Sequence, residues 1–236
     1  MSYTSLAELD RRSITFPGPS LRMAGLEAAL VAIEEQLEQL KGQRAVRLYA
    51  RLKREAHLMH HEDIEYELSQ LKNAVEELFP KVFRGGFVIS LWSVFEACTK
   101  DLAEYVRREK SFPFALQDLR AGDFLEQVEK FFASVLGLKA FPDKSVRAKL
   151  EQLRGLRNCL AHHDGNEAEL PKSLRGKSEA EYKEKGLILY SDLHHTFVIP
   201  TDWYTEQILE TVRTYLVEFA DRVYESLHPF PLSDEI

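Results

Sequence analysis

Apolar residues recur every three or four positions along most of this chain, the period of helices that bury one face. Leu26, Leu30, Ile33, Leu37 and Leu40 make a narrow heptad-like seam. Gly42 then offers a turn. A second seam follows: Val46, Tyr49, Leu52, Ala56 and Met59, then Ile64, Leu68, Leu71, Val75 and Leu78. Together they predict an antiparallel helical hairpin with one long arm over residues 21–79, after an extended tail at 1–20. Pro80 marks the junction to the next helix. There Phe87, Leu91, Val94 or Phe95, Cys98, Leu102 and Tyr105 give the broad apolar face of a central helix, with Gly85-Gly86 near its start allowing close backbone approach.

Punctuation residues divide the rest. Residues 111–122 carry no period. Asp123 and Glu126 fit a capping box for a helix that runs to about Leu136 and closes at Gly137. Pro142 and Asp143 open the next helix, with Val146, Leu150, Leu153, Leu156 and Leu160 on its apolar stripe. It ends in His162-His163 before Asp164-Gly165. Residues 165–185 are polar and read as an exposed loop. Leu187–Tyr190 and Thr196–Ile199 predict two short strands joined around Asp192–His195, so a small β-hairpin lies near 187–199. Thr201 or Asp202 caps a last helix carrying Ile208, Val212, Leu216, Phe219, Val223 and Leu227. The class is all-α: a bundle over 80–236, with the hairpin arm packed on it or extending it.

Composition changes this picture little. The 236 residues are 44% hydrophobic and 29% charged, a globular balance that needs no disulfide or metal to close a core. Cys98 and Cys159 have no metal or redox spacing and read as small buried apolar residues in a reducing compartment. Met1–Ser20 lacks an apolar signal-peptide core, and the longest apolar segments fall far short of a membrane span. The expected location is cytoplasmic. A net charge of −7 argues against broad nucleic-acid binding. Locally, Lys144, Arg147, Lys149, Arg154 and Arg157 face one acidic residue, Glu151.

There is no phosphate-binding loop, no G-x-S-x-G, no H-E-x-x-H and no sign of a dinucleotide fold, so no cofactor is expected. The histidines come as adjacent pairs, His60-His61, His162-His163 and His194-His195. Neighbours on a helix point about 100° apart and do not readily ligate one metal. Only His57 and His61 share a helical face, and no carboxylate cluster supports them.

The helix end Arg157-Asn158-Cys159-Leu160-Ala161-His162-His163 is chemically richer. Asn158 and His162 are four apart and share a face, where the amide can orient the imidazole. Arg157 lies about 140° further round an ideal helix. It meets His162 where the helix ends or bends, or across a two-fold axis. Histidine suits proton transfer near neutral pH, and arginine clamps phosphate.

Arg157-Asn158-x-x-x-His162, near the end of an apolar helix in an all-helical chain, resembles the HEPN family. The segment Ser90-Leu91-Trp92-Ser93-Val94-Phe95-Glu96 is similar to the S-x-x-S-x-x-E helix that packs against the motif helix in many HEPN proteins. The resemblance covers roughly residues 80–227. It implies a four- or five-helix bundle that dimerises through the motif helices, and a metal-independent endoribonuclease of toxin–antitoxin, abortive-infection or CRISPR-linked defence. Arg157 would hold the scissile phosphate and His162 would be general base or acid. Asn158 would orient His162 or touch RNA, and Glu96 would tune the site. Arg154, Arg147, Lys149 and His163 are candidate RNA contacts. The implied partners are RNA, a second copy, and an antitoxin or other defence-system protein. Asp164 stands where some HEPN toxins carry a modifiable tyrosine, so that regulation is not implied. His162 is favoured over His163 for its phase with Asn158.

Two other readings stay open. Arg157 can serve as a structural partner of Glu96, Glu151 or another acid at a helix contact, in a non-catalytic interaction module. A bundle with a metal at His57 and His61 is the third.

Overall fold

A computed structural model describes residues 17–191 and 196–228. The chain is mostly helical with one small two-stranded antiparallel sheet. The helices are α1 (Pro17–Glu55), α2 (His61–Asn73), α3 (Phe79–Glu109), α4 (Phe124–Leu136), α5 (Lys144–His163), α6 (Glu179–Glu184) and α7 (Asp202–Leu227). The strands are β1 (Leu187–Ser191) and β2 (Thr196–Pro200), with α6 before β1 and α7 after β2. The expected turn residues 192–195 lie outside the described residues, as does the tail up to residue 16.

The helical hairpin exists, but its turn is not at Gly42. α1 runs through Gly42 without a break and takes up the chain at Pro17. One glycine inside a long helix costs about 1 kcal/mol and does not end it while the apolar period continues. The chain turns instead at residues 56–60, where the Asp63 carboxylate accepts from the His60 N–H at 3.1 Å and starts α2. The arms run antiparallel: Arg51 pairs with Glu67 at 2.5 Å, the Arg44 guanidinium lies 4.7 Å from the Phe79 ring, and Arg84 forks onto Glu34 at 2.8 and 2.6 Å.

Pro80 does not break the helix either. A π-turn, Ala74–Leu78, joins α2 to α3, and the Phe79 N–H bonds back to the Ala74 carbonyl. The wide turn accommodates a residue that brings no N–H and whose ring would crowd a regular turn. The resulting run His61–Glu109 is therefore longer than expected, and by length and composition alone it could cross a membrane. A core helix of a globular bundle passes the same test, and Val88, Leu91, Phe95 and Val106 on this run are fully buried.

The chain forms two compact units. One holds residues 17–25, Leu91–Glu151 and 208–228. Its core is aromatic: Phe132 and Phe219 meet edge to face at 4.6 Å, Tyr215 stacks on Phe141 and Phe219 at 5.3 Å, and Trp92 leans on Phe95 at 5.1 Å. The caps of α4 are as expected. Asp123 accepts from the Glu126 N–H at 3.0 Å, and Gly137 closes the helix at φ 68°. The carboxylate of Glu126 reaches back to the Gly122 N–H rather than to that of Asp123.

The other unit holds Leu26–Ser90, residues 152–191 and 196–207. Leu153, Leu156 and Cys159 of α5 are buried in it, with Val88 of α3 and Val198 of β2. The strands pair from Leu187 opposite Pro200 to Ser191 opposite Thr196. The segment expected to be an exposed loop is in fact anchored: Leu170, Leu174 and Tyr182 are buried, and Tyr182 donates its hydroxyl to Glu167 at 2.8 Å.

Candidate functional site

The end of α5 is built for a sharp stop. Asp143 starts the helix by accepting from the Ser145 N–H at 2.7 Å. Twenty residues later the chain leaves through two left-handed residues, Asp164 at φ 52° and Gly165 at φ 77°. A side chain at Gly165 would meet the Val198 carbonyl at 3.2 Å, so the position needs glycine on both counts. The Gly165 carbonyl accepts from the Val198 N–H at 2.9 Å, and Asn166 bridges to Phe197. The small β-hairpin is thus bonded to the exit of the motif helix.

The motif side chains gather on that end. Arg157 Nη1 donates to Asn158 Oδ1 at 2.9 Å and lies 3.5 Å from His162 Nε2. The helical phase had set Arg157 and His162 apart on one straight helix. The arginine stem is long enough to close that gap within a single chain. Asn158 was expected to orient His162 directly; its oxygen instead holds the guanidinium that approaches the imidazole. A guanidinium can only donate, so at 3.5 Å Nη1 faces the ring nitrogen with its N–H side.

Arg157 is not a surface ion pair. Among the described residues its partners are Asn158 and His162, and its Nε is buried with no hydrogen-bond partner. Its structural alternatives are otherwise engaged: Glu151 pairs with Arg147 at 3.0 Å and Glu96 with Lys100 at 3.8 Å. His163 is exposed and meets the His162 ring edge-on, with centroids 6.5 Å apart.

Lys81, at the start of α3, was not singled out by the sequence. Its Nζ lies 2.7 Å from Asp164 Oδ2 and 3.8 Å from the centre of the Phe197 ring, with only 14% of the side chain exposed. An ammonium at a helix C-terminus also meets the negative end of the helix dipole. No local motif announces this residue. The contact spans 83 positions and appears only once α3, α5 and β2 are assembled.

The proposed RNA contacts fare differently. Arg147 belongs to the first unit, where its guanidinium is taken up by Glu129 and Glu151. These carboxylates raise its pKa further above the usual range, and its charge is neutralised where it stands. Lys149, in the same unit, is exposed, and its charge helps hold the Asp143 carboxyl below the usual range, after the Ser145 hydrogen bonds. Arg154 is half-buried and already engaged by a neighbour. Glu96 belongs to the first unit.

No known family model, curated protein sequence or solved structure matches the chain. The chemistry of the site therefore rests on its own atoms. Cys159, between Asn158 and the histidines, donates its thiol to the Asn166 carbonyl at 3.1 Å. Burial, reinforced by Glu169, Glu167 and Asp164, pushes this thiol up to about 11, which makes it a poor nucleophile at neutral pH. His61 contacts Glu65 at 3.3 Å, and among the described residues no three metal-ligating side chains cluster.

Proposed function

We propose that this protein is a metal-independent endoribonuclease of HEPN type, with Arg157, Asn158 and His162 as its active residues. The observation that supports this most is the Arg157 guanidinium. It has no carboxylate partner among the described residues, keeps one N–H unpaired, and stands 3.5 Å from His162 Nε2. A guanidinium with no carboxylate partner beside an imidazole is a place for an anion next to a base.

In the proposed reaction a scissile phosphate of RNA binds Arg157. His162 Nε2 takes the proton of the ribose 2′-hydroxyl, whose oxygen attacks the phosphorus. The P–O5′ bond breaks, and the leaving oxygen takes a proton from a histidinium, either His163 or a histidine of a second copy. The products are a 2′,3′-cyclic phosphate and a 5′-hydroxyl, with no net redox change and no metal needed. Arg157 stabilises the charge that builds on the phosphorane, and such positioned donors are worth about 3 kcal/mol each. Asn158 keeps the guanidinium in place. The proposal extends to a homodimer in the cytoplasm, within a toxin–antitoxin or phage-defence system that supplies the controlling partner protein.

The test is incubation of the purified chain with RNA in excess EDTA. Cleavage that leaves a cyclic phosphate, and that drops at least about 100-fold in Arg157→Ala and His162→Ala, is expected. Absence of cleavage, or full cleavage by both variants, overturns the reading. The second reading, a non-catalytic dimeric interaction module, is favoured by the net charge of −7 and by the neutralised Arg147. Expression in a host separates the two. A ribonuclease toxin arrests growth unless Arg157 or His162 is replaced, whereas a scaffold is harmless in either form.

A further inference from the structure

The charges on α1 are sorted along its length. Between Leu26 and Leu40 the charged residues are Glu27, Glu34, Glu35 and Glu38, all acidic. Between Lys41 and Arg54 they are Lys41, Arg44, Arg47, Arg51, Lys53 and Arg54, all basic. The inward members are satisfied within the hairpin: Glu34 by Arg84, Arg44 by the Phe79 ring and Arg51 by Glu67. Of the outward ones, Lys41 pairs with Glu38 at 4.0 Å. Glu35 and Lys53 have no ion-pair partner among the described residues.

The outward face of this helix is also bare. Val31, Glu35, Gln39, Gly42, Val46, Tyr49 and Lys53 fall on one stripe at three- and four-residue spacing, and all are exposed. Val31, Val46 and Tyr49 leave 56%, 69% and 62% of their surface in solvent, and Leu58 in the turn beyond α1 leaves 76%. At Gly42 a side chain would meet nothing within 4 Å, so the backbone there is open to a neighbour.

We infer that this face is a self-association surface, and that its occupant is α1 of a second copy running antiparallel. A parallel copy would set acid on acid and base on base. An antiparallel copy sets Glu35 of each chain on Lys53 of the other, whereas a parallel one sets each on its own copy, and this favours the antiparallel orientation even though each exposed pair adds little energy. With the two-fold axis crossing near Arg44 and Ala45, Glu35 meets Lys53 of the second copy. Val46 seats over the open Gly42, Tyr49 lies on Gln39, and Val31 reaches Leu58. The exposed apolar residues on this face and the unpaired Glu35 and Lys53 gain partners together. This surface is separate from the end of α5, and the inference does not depend on what Arg157 and His162 do.

Sedimentation velocity of the full chain over a range of micromolar concentrations tests it. A reversible dimer is expected, and Val46→Glu combined with Tyr49→Glu weakens it at least about tenfold with the helical content unchanged. A charge exchange gives the second arm. Glu35→Lys or Lys53→Glu alone weakens the dimer, and the two together restore it. Glu35 and Lys53 are about 27 Å apart along one helix, so their coupling operates only between copies. A monomer at every concentration overturns the inference, as does a dimer indifferent to the Val46 and Tyr49 changes. A double exchange that stays as weak as the singles overturns the antiparallel pairing.

Discussion

Lys81 holds Asp164. The ammonium sits 2.7 Å from the carboxylate and 3.8 Å from the Phe197 ring, directly after the histidine pair that ends α5. Three elements thus meet at the exit of the motif helix, through residues that belong to one unit. Asp164 is 79% exposed, so the ion pair alone is worth little, and the ring contact adds roughly 1 kcal/mol. Lys81→Met keeps the apolar stem and loses the charge. Its expected thermal midpoint is a few degrees below that of the parent, with faster amide exchange confined to the end of α5 and to β2. Unchanged exchange at Gly165, Asn166 and Val198 would show that the lysine does not hold this corner.

Arg157→Lys discriminates between charge and shape. A lysine keeps the positive charge but offers one point, whereas the guanidinium contacts Asn158 at 2.9 Å and approaches His162 at 3.5 Å through the same Nη1. If the site binds phosphate as proposed, kcat for RNA cleavage falls about tenfold to 100-fold while KM rises less. Stability should stay within about 0.5 kcal/mol, because no buried ion pair is broken. A lysine variant with full kcat would mean that Arg157 acts only as a diffuse charge.

Much of this architecture is legible in the sequence. Asp123, Gly137 and Asp143 place the ends of α4 and the start of α5 because caps act within one turn. β1 and β2 follow from two short runs of apolar and aromatic residues. The errors have a common physical source. Gly42 looked like a turn because glycine's low helix propensity was weighed above the buried face of α1, which carries Leu37 before it and Leu48 after it. Arg157 and His162 looked divergent because helical phase describes where Cβ points and not how far a guanidinium reaches. Arg147 looked like an RNA contact; Glu151 is visible four residues away, but Glu129 arrives from α4 and only the fold brings it. Residues 165–185 looked exposed because the buried Leu170, Leu174 and Tyr182 stand isolated in polar sequence and make no continuous period.

Gly155 gives a prediction whose sign runs against helix propensity. In the middle of an exposed helix, glycine to alanine stabilises by about 1 kcal/mol. Here the added carbon would sit 2.4 Å from Pro171 Cγ and 3.0 Å from its Cδ. A proline ring is rigid, so the segment after α5 must shift. Gly155→Ala should therefore destabilise, by about 1–2 kcal/mol net of the propensity gain, in urea unfolding. A neutral or stabilising result would show that Pro171 moves aside at little cost.

Cys159 makes stability depend on alkaline pH. A thiol ordinarily ionises near 9.0, and burial raises this one to about 11 in the folded chain. Between those values the folded state holds a proton that the unfolded chain has released. Stability is then full below about pH 9 and falls as pH rises towards 11. The loss from this one group is at most about 2–3 kcal/mol. Cys98, Tyr182 and Tyr215 are also raised by burial and push in the same direction, so the parent slope is shared. The difference between the parent and Cys159→Ala isolates the thiol. Urea midpoints at about pH 8 and about pH 10.5 should show a smaller alkaline drop in the variant. Equal drops would mean that the thiolate is accommodated without unfolding and that Cys159 is less enclosed than its place between Asn158 and the Asn166 carbonyl implies.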